Sequence, residues 1–185
     1  MNKKHLDPST CLFPLPTVLV SCRDPGSNTS NIITLAWVGV LSSDPPVIGI
    51  AIRPSRYSHG LIERAGEFVV NIPEASQLHA VDACGFVSGK EVDKFTACGF
   101  TAGEARDVSC PVIVECPVNI ECKLVRVVTG YSKSHHLFLG EVVRVSVRDD
   151  LDGIDMGAMD PIAYCNGEYR ALGKKIGRVG LSKKR

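Results

Sequence analysis

VNIECKLVRVV at Val118–Val128, then TGYSKS, then HHLFLGEVVRVSV at His135–Val147, reads as two long β-strands joined by a hairpin turn at GYSKS. In the first strand Val118, Ile120, Cys122 and Leu124 alternate with Asn119, Glu121 and Lys123. After Leu124 the phase slips, so that Val125 and Val127 become the apolar set. Such a slip predicts a β-bulge or a change of neighbouring sheet. In the second strand the apolar face reads Leu137, Leu139, Val143, Val145 and Val147, interrupted by Glu141. Glu141 reads either as a buried general acid or as a strand residue paired with Arg144 or Arg126.

Further strands flank this pair. Leu15–Cys22, Asn31–Val38, Val47–Ile52, Glu67–Ile72 and Cys110–Cys116 are short and apolar, and Ile162–Leu172 forms a last strand and turn. Asp24-Pro25-Gly26 and the SSDPP run at Ser42–Pro46 break the chain between them. Ser58–Ala65 reads as a helix with Ser58 as N-cap and Gly66 as stop. Pro73–Phe86 is helix-like, and VSGKEVDKF is a polar connection. About eight strands without βαβ alternation predict a mainly β chain with a few short helices, a closed or partly closed antiparallel barrel. No GxGxxG or Walker A pattern supports a Rossmann or P-loop site.

The chain has 185 residues, 44% hydrophobic and 22% charged, which suits one soluble domain over 1–185. A net charge of +1 argues against a nucleic-acid partner. The local excess is the tail from Lys174, with six basic residues and no acid, read as a solvated end or a weak anion contact. With no signal peptide and no transmembrane run, a cytoplasmic location is expected. The eight cysteines are then expected as free thiols. They form no CxxC. Cys110, Cys116 and Cys122 are spaced by six, with Pro111 and Pro117 against a single unbroken strand. No metal site is expected.

Two segments can carry chemistry. Arg53-Pro54-Ser55-Arg56-Tyr57-Ser58 lies between a buried strand and a helix start, where unpaired amides and the dipole favour negative charge. Two arginines and their neighbouring hydroxyls suit a phosphate monoester there, or else form a solvated loop. Asn31 and Thr34 are polar groups in a buried strand and need partners: a ligand edge, or a turn cap and a backbone carbonyl. Trp37, the single tryptophan, reads as core or as a ring-stacker.

Together these segments resemble a family. NIITLAWVGVLSSDPPVIGIAIRPSRYSHGLIERAGEFVVNIP (31–73), CGFVSGKEVDKFTACGFT (84–101), SHHLFLGEVVRV (134–145) and PIAYCNGEYRALG (161–173) are similar to flavin reductase-like, FMN-binding split-barrel proteins. The resemblance implies an antiparallel, Greek-key split β-barrel and a homodimer that holds FMN at the subunit interface. Asn31, Ile32, Thr34, Ala36 and Trp37 would line the isoalloxazine and ribityl chain, with Ser42 and Ser43 over the ring. Arg53, Ser55, Arg56, Tyr57 and Ser58 would hold the phosphate. Ser88, Gly89 and Lys94 would lie near the cofactor of one subunit or the other. His135 would face the nicotinamide or other substrate. The family often has an acid before this histidine, where this chain has Ser134; His136 would point to the opposite face. The implied activity is oxidoreduction through FMN, with NADH or NADPH as donor and a flavin or another small acceptor. The alternative is a flavoredoxin-type carrier that exchanges electrons with a redox protein.

Overall fold

The structure is a computed structural model that describes residues 1–27, 29–154 and 157–182. In chain order the strands are β1 (Leu15–Pro16), β2 (Val18–Arg23), β3 (Ser30–Leu35), β4 (Val38–Ser43) and β5 (Pro46–Ile52). Helix α1 (Tyr57–Ala65) and β6 (Glu67–Ile72) follow. A 3-10 turn at Ala75–Gln77 leads into α2 (Leu78–Phe86), and α3 (Lys94–Ala97) stands in the polar connection. The rest is β7 (Ala102–Gly103), β8 (Val112–Ile113), β9 (Val118–Val128), β10 (His136–Val147), β11 (Ile162–Cys165) and β12 (Glu168–Ala171).

Seven strands form one antiparallel sheet in the order β3-β2-β6-β9-β10-β5-β4. It curls until β3 contacts β5, which gives a split barrel. β2 is buried on both faces because two cores share it. Val18, Val20 and Cys22 point into the barrel with Ile50, Phe68 and Phe138. Leu19 points outward to a second core with Ile32, Val81, Cys84, Phe95 and Ile113, under α2 and α3. This follows from the period of two along a strand.

The phase slip after Leu124 is a bulge: Leu139 pairs with Arg126 and Gly140 with Leu124, so Val125 has no partner. The β10 reading needs correction. Its core face is Phe138 and Val142, whereas Leu137 and Leu139 are half-buried and Val143 and Val145 exposed. Glu141 is exposed, and Arg144 is paired with Asp107 instead. Glu121 belongs to the polar set of β9. It is buried, and its carboxylate accepts the backbone N–H of Arg106 and, at 2.7 Å, of Asp107. The strand expected at Cys110–Cys116 is only β8, because Pro111 and Pro117 bracket it.

The strand expected over Asn31–Val38 breaks at Ala36–Trp37, which separates β3 from β4, and Ser42 and Ser43 are strand residues rather than a loop. Helix α1 is capped by Arg56, not Ser58, with no side-chain cap. Gly66 ends it in the left-handed region at φ 69, donating its N–H to the Ile62 carbonyl. Residues 173–182 are exposed and add no strand or helix; Lys183–Arg185 lie outside the described residues. No helix among the described residues is long and apolar enough to cross a membrane.

His59 on α1 and His136 on β10 lock these two elements together. Their Nε2 and Nδ1 atoms are 2.9 Å apart, and one imidazole must be neutral to accept this bond. Burial lowers the His59 pKa, Glu63 opposes that and His136 adds to it. The folded chain then binds fewer protons than the unfolded chain. Stability is full above the ordinary histidine pKa of about 6.5 and falls as pH drops below it. Urea denaturation at about pH 7.5 and about pH 5.5 should show that loss, and His59→Gln should reduce the difference.

Candidate functional site

A groove runs between β3, α1 and α2. One end is a recess of about 70 Å³ lined by Asn31, Ser55, Arg56, Tyr57, Ser58, Ser88, Gly89 and Lys94. It continues past Ile33, Gly85 and Phe86 into a wider cleft of about 410 Å³. Thr17, Thr34, Ala36, Trp37, Arg53, His135, Tyr164 and Tyr169 are among the residues that line the cleft. Neither part is lined by Asp or Glu, yet Arg53, Arg56 and Lys94 face it. Among the described residues none of the three makes an ion pair.

The recess forms where the N-terminus of α1 meets the end of β3. Asn31 donates through Nδ2 to Ser58 Oγ at 2.8 Å. Its Oδ1 is buried and has no partner, and an ideal Cβ on Gly89 would lie 2.0 Å from it. The loop therefore needs glycine at 89 to pass Asn31. Lys94 is 4% exposed and donates to the carbonyls of Ile32 at 2.8 Å and Cys84 at 2.7 Å. Burial pulls its pKa down, and the nearby thiols oppose this.

The cleft is aromatic. The Trp37 and His135 rings are 6.2 Å apart at 9°, and Tyr164 stands 5.9 Å from Trp37. Trp37 is 41% exposed, so it belongs to the cleft and not to the core. Ser134 Oγ lies 2.8 Å from His135 Nδ1, in the place where the family often has an acid. Burial, and then the nearby Arg53 guanidinium, lower the His135 pKa and so favour the neutral ring. Tyr169 donates to Asp82 at 2.9 Å.

Several expected site residues fall elsewhere. The Ile32 side chain packs in the second core, and only its carbonyl is engaged, by Lys94. Ser42 and Ser43 pair with Val47 and Pro46 at the far end of β4 and do not line the groove. Thr34 does line the cleft, but its hydroxyl is committed to the Val81 carbonyl. Arg53 stands apart from the recess, on the cleft wall near His135. Thr17, Gly85, Phe86, Tyr164 and Tyr169 were not anticipated. Thr17 follows Pro16 and Tyr164 pairs with Leu15, so small β1 and β11 bring them in. Nothing local in the sequence signals that. The groove is distinct from a cavity of about 480 Å³ beyond Gly89, where Lys90 is outnumbered by Glu91 and Asp93.

Comparison with known proteins gives the family and the fold. The Flavin reductase like domain family matches residues 10–173. An uncharacterised protein of Archaeoglobus fulgidus is 40% identical over 139 residues, 75% of each chain. The flavoredoxin of Desulfovibrio vulgaris (Miyazaki F) superposes with a TM-score of 0.90 at 30% identity, over 99% of this chain and 100% of its own. An FMN-binding protein from Thermus thermophilus, solved with bound 1-cyclohex-2-enone, gives 0.78 at 26% identity over 96% and 97%. The chain belongs to the flavin reductase-like family and has its FMN-binding split-barrel fold.

Proposed function

We propose that this protein holds FMN in the groove and works as an NAD(P)H-dependent oxidoreductase that reduces a flavin or another small acceptor. One observation carries the reading. Among the described residues, the two buried side-chain polar atoms with no partner are Asn31 Oδ1 and Thr17 Oγ1. One lines the recess and the other the cleft, in a groove with three cations and no acid. Unpaired buried polar atoms are rare and cost about 1–3 kcal/mol each, so a ligand that pairs them is favoured. A flavin mononucleotide fits: a dianionic phosphate for the recess, and a planar ring with carbonyl and N–H edges for the cleft.

Arg56, Ser55, Tyr57, Ser58, Ser88 and Lys94 would hold the phosphate, and Asn31 the adjoining chain. Thr17, Ala36, Trp37, Tyr164 and Tyr169 would line the ring, with Arg53 and His135 on the substrate side. Bound FMN supplies the hydride and electron chemistry; the protein supplies binding, orientation and electrostatics. His135, neutral and fixed at Nδ1 by Ser134, leaves Nε2 to hold or move a proton.

The test is an anaerobic titration of the FMN-loaded protein with NADH and then NADPH, followed by flavin absorbance. Bleaching within the mixing time supports the reductase. A second reading is favoured by the full-length likeness to flavoredoxin: FMN stays bound and protein partners exchange electrons with it. No bleaching with either nucleotide, but reduction by a ferredoxin-type donor, would establish that carrier. A protein that gains no flavin absorbance with added FMN would refute both.

Gly89→Ala probes the recess without touching its charges. The new methyl would overlap Asn31 and push it from Ser58. FMN affinity should drop about tenfold or more while the circular dichroism spectrum is unchanged.

The homodimer belongs to the same proposal. On the outer face of β4, β5 and β10, Leu41 is 54% exposed and lies over Gly49 beside Leu137, with Val143 also exposed. An apolar sheet face of this kind suits a second copy. Light scattering should return twice the 19.9 kDa chain mass, and Leu41→Glu with Val143→Glu should return one.

A further inference from the structure

Arg53 is a cation that the phosphate recess does not use. It follows the last residue of β5. The β5–β10 ladder ends with Ile52 opposite His136, so Arg53 comes beside His135 one step further on. Ala51, two residues before Arg53, donates its N–H to the Trp37 carbonyl at 2.9 Å. Arg53, His135 and Trp37 thus meet on one wall of the cleft, with Tyr164 5.9 Å from Trp37. The guanidinium is exposed. Among the described residues it makes no ion pair and no hydrogen bond.

The two ends of the groove suit different anions. In the recess Arg56 and Lys94 stand with the first residues of α1, a setting for a doubly charged phosphate. The cleft beyond it is lined by rings and hydroxyls, and apart from Arg56, which it shares with the recess, its one permanent cation is Arg53. A single cation suits a monoanion. A guanidinium sets its N–H groups in a planar fork that matches the two oxygens of a carboxylate. The aromatic wall suits a flat ring beside that carboxylate. With Nδ1 of His135 taken up by Ser134, its Nε2 remains for the same ligand.

We propose that Arg53 sets the substrate class of this site: a planar aromatic carboxylate, its carboxylate on Arg53 and its ring against the wall of Trp37 and His135. The proposal rests on the reading that FMN occupies the rest of the groove. Arg53 selects the ligand and takes no part in the transfer itself.

The test titrates the FMN-loaded chain with benzoate and with benzamide, a neutral probe of the same shape, followed by flavin absorbance and independently by the heat of binding. Benzoate should bind about tenfold or more tightly than benzamide. In Arg53→Ala that preference should vanish, with benzamide binding changed by less than about threefold. Arg53→Lys should keep part of the preference, because the charge stays and the planar fork is lost. Equal binding of the two probes, binding of neither, or a benzoate preference that survives in Arg53→Ala would overturn the proposal. So would displacement of benzoate by an equal concentration of inorganic phosphate, which would assign Arg53 to a phosphate. A chain that takes up no FMN would overturn the underlying reading as well, whereas a yellow, FMN-loaded chain that fails to discriminate would overturn this inference alone.

Discussion

An Arg56→Ala variant should bind FMN about tenfold to a hundredfold more weakly than the parent chain, with riboflavin binding changed by less than about threefold. The guanidinium lines the recess with Ser55 and Ser58 and has no ion pair among the described residues. A hydrogen bond to a charged group contributes about 1.5–3 kcal/mol, which is the stated range in affinity. Riboflavin has no phosphate, so it serves as the internal control. Arg53→Ala is the second control. Arg53 follows the same strand three residues earlier, yet it faces the cleft beside His135. It should leave FMN affinity nearly unchanged and act on the substrate instead. Isothermal titration of the two variants with both flavins decides the point. Equal weakening of FMN and riboflavin in Arg56→Ala would show that the recess does not hold the phosphate.

The difference between the two arginines shows where sequence reading stops. The RPSRYS run was legible as a candidate anion site, with a solvated loop as the alternative, because residue type and position at a helix start carry the physics. That Arg56 lines both the recess and the cleft while Arg53 lines only the cleft follows from the tight turn over 53–56, where the Arg56 N–H bonds to the Arg53 carbonyl. The barrel was legible for a similar reason. The alternation in Val118–Val128 and its slip at Leu124 record a periodicity and a bulge directly in the side chains. The inward face of β10 was not, because apolar residues occupy both faces: Phe138 in the core, Leu137 and Leu139 outside. A strand with apolar residues on both faces gives no period to read. Thr17 and Tyr164 were invisible for another reason. They reach the cleft through a two-residue strand paired with a segment nearly 150 positions away in sequence.

Asn71→Ala should cost the fold about 3–5 kcal/mol, a large part of the 5–15 kcal/mol that such a domain has. Asn71 is fully buried on β6 and satisfies every polar atom of its amide. Nδ2 donates to the Leu19 carbonyl and to Ser21 Oγ, each at 3.0 Å. Oδ1 accepts the Ile113 N–H at 3.0 Å and Asn119 Nδ2 at 2.9 Å. Alanine removes the acceptor and strands the Ile113 N–H in the second core, where no solvent replaces it. It also frees Ser21, which otherwise joins β2 to the Pro111 carbonyl. Asn71→Asp should be worse, because a carboxylate cannot donate to the Leu19 carbonyl and would face it with a buried charge. Urea denaturation should show a lower midpoint with an unchanged slope. Asn71 lines no part of the groove, so the folded fraction should bind FMN with parental affinity. If affinity and midpoint fell together, the β6 network would be coupled to the groove, and the clean separation between the core that holds the barrel and the site built on its edge would be wrong.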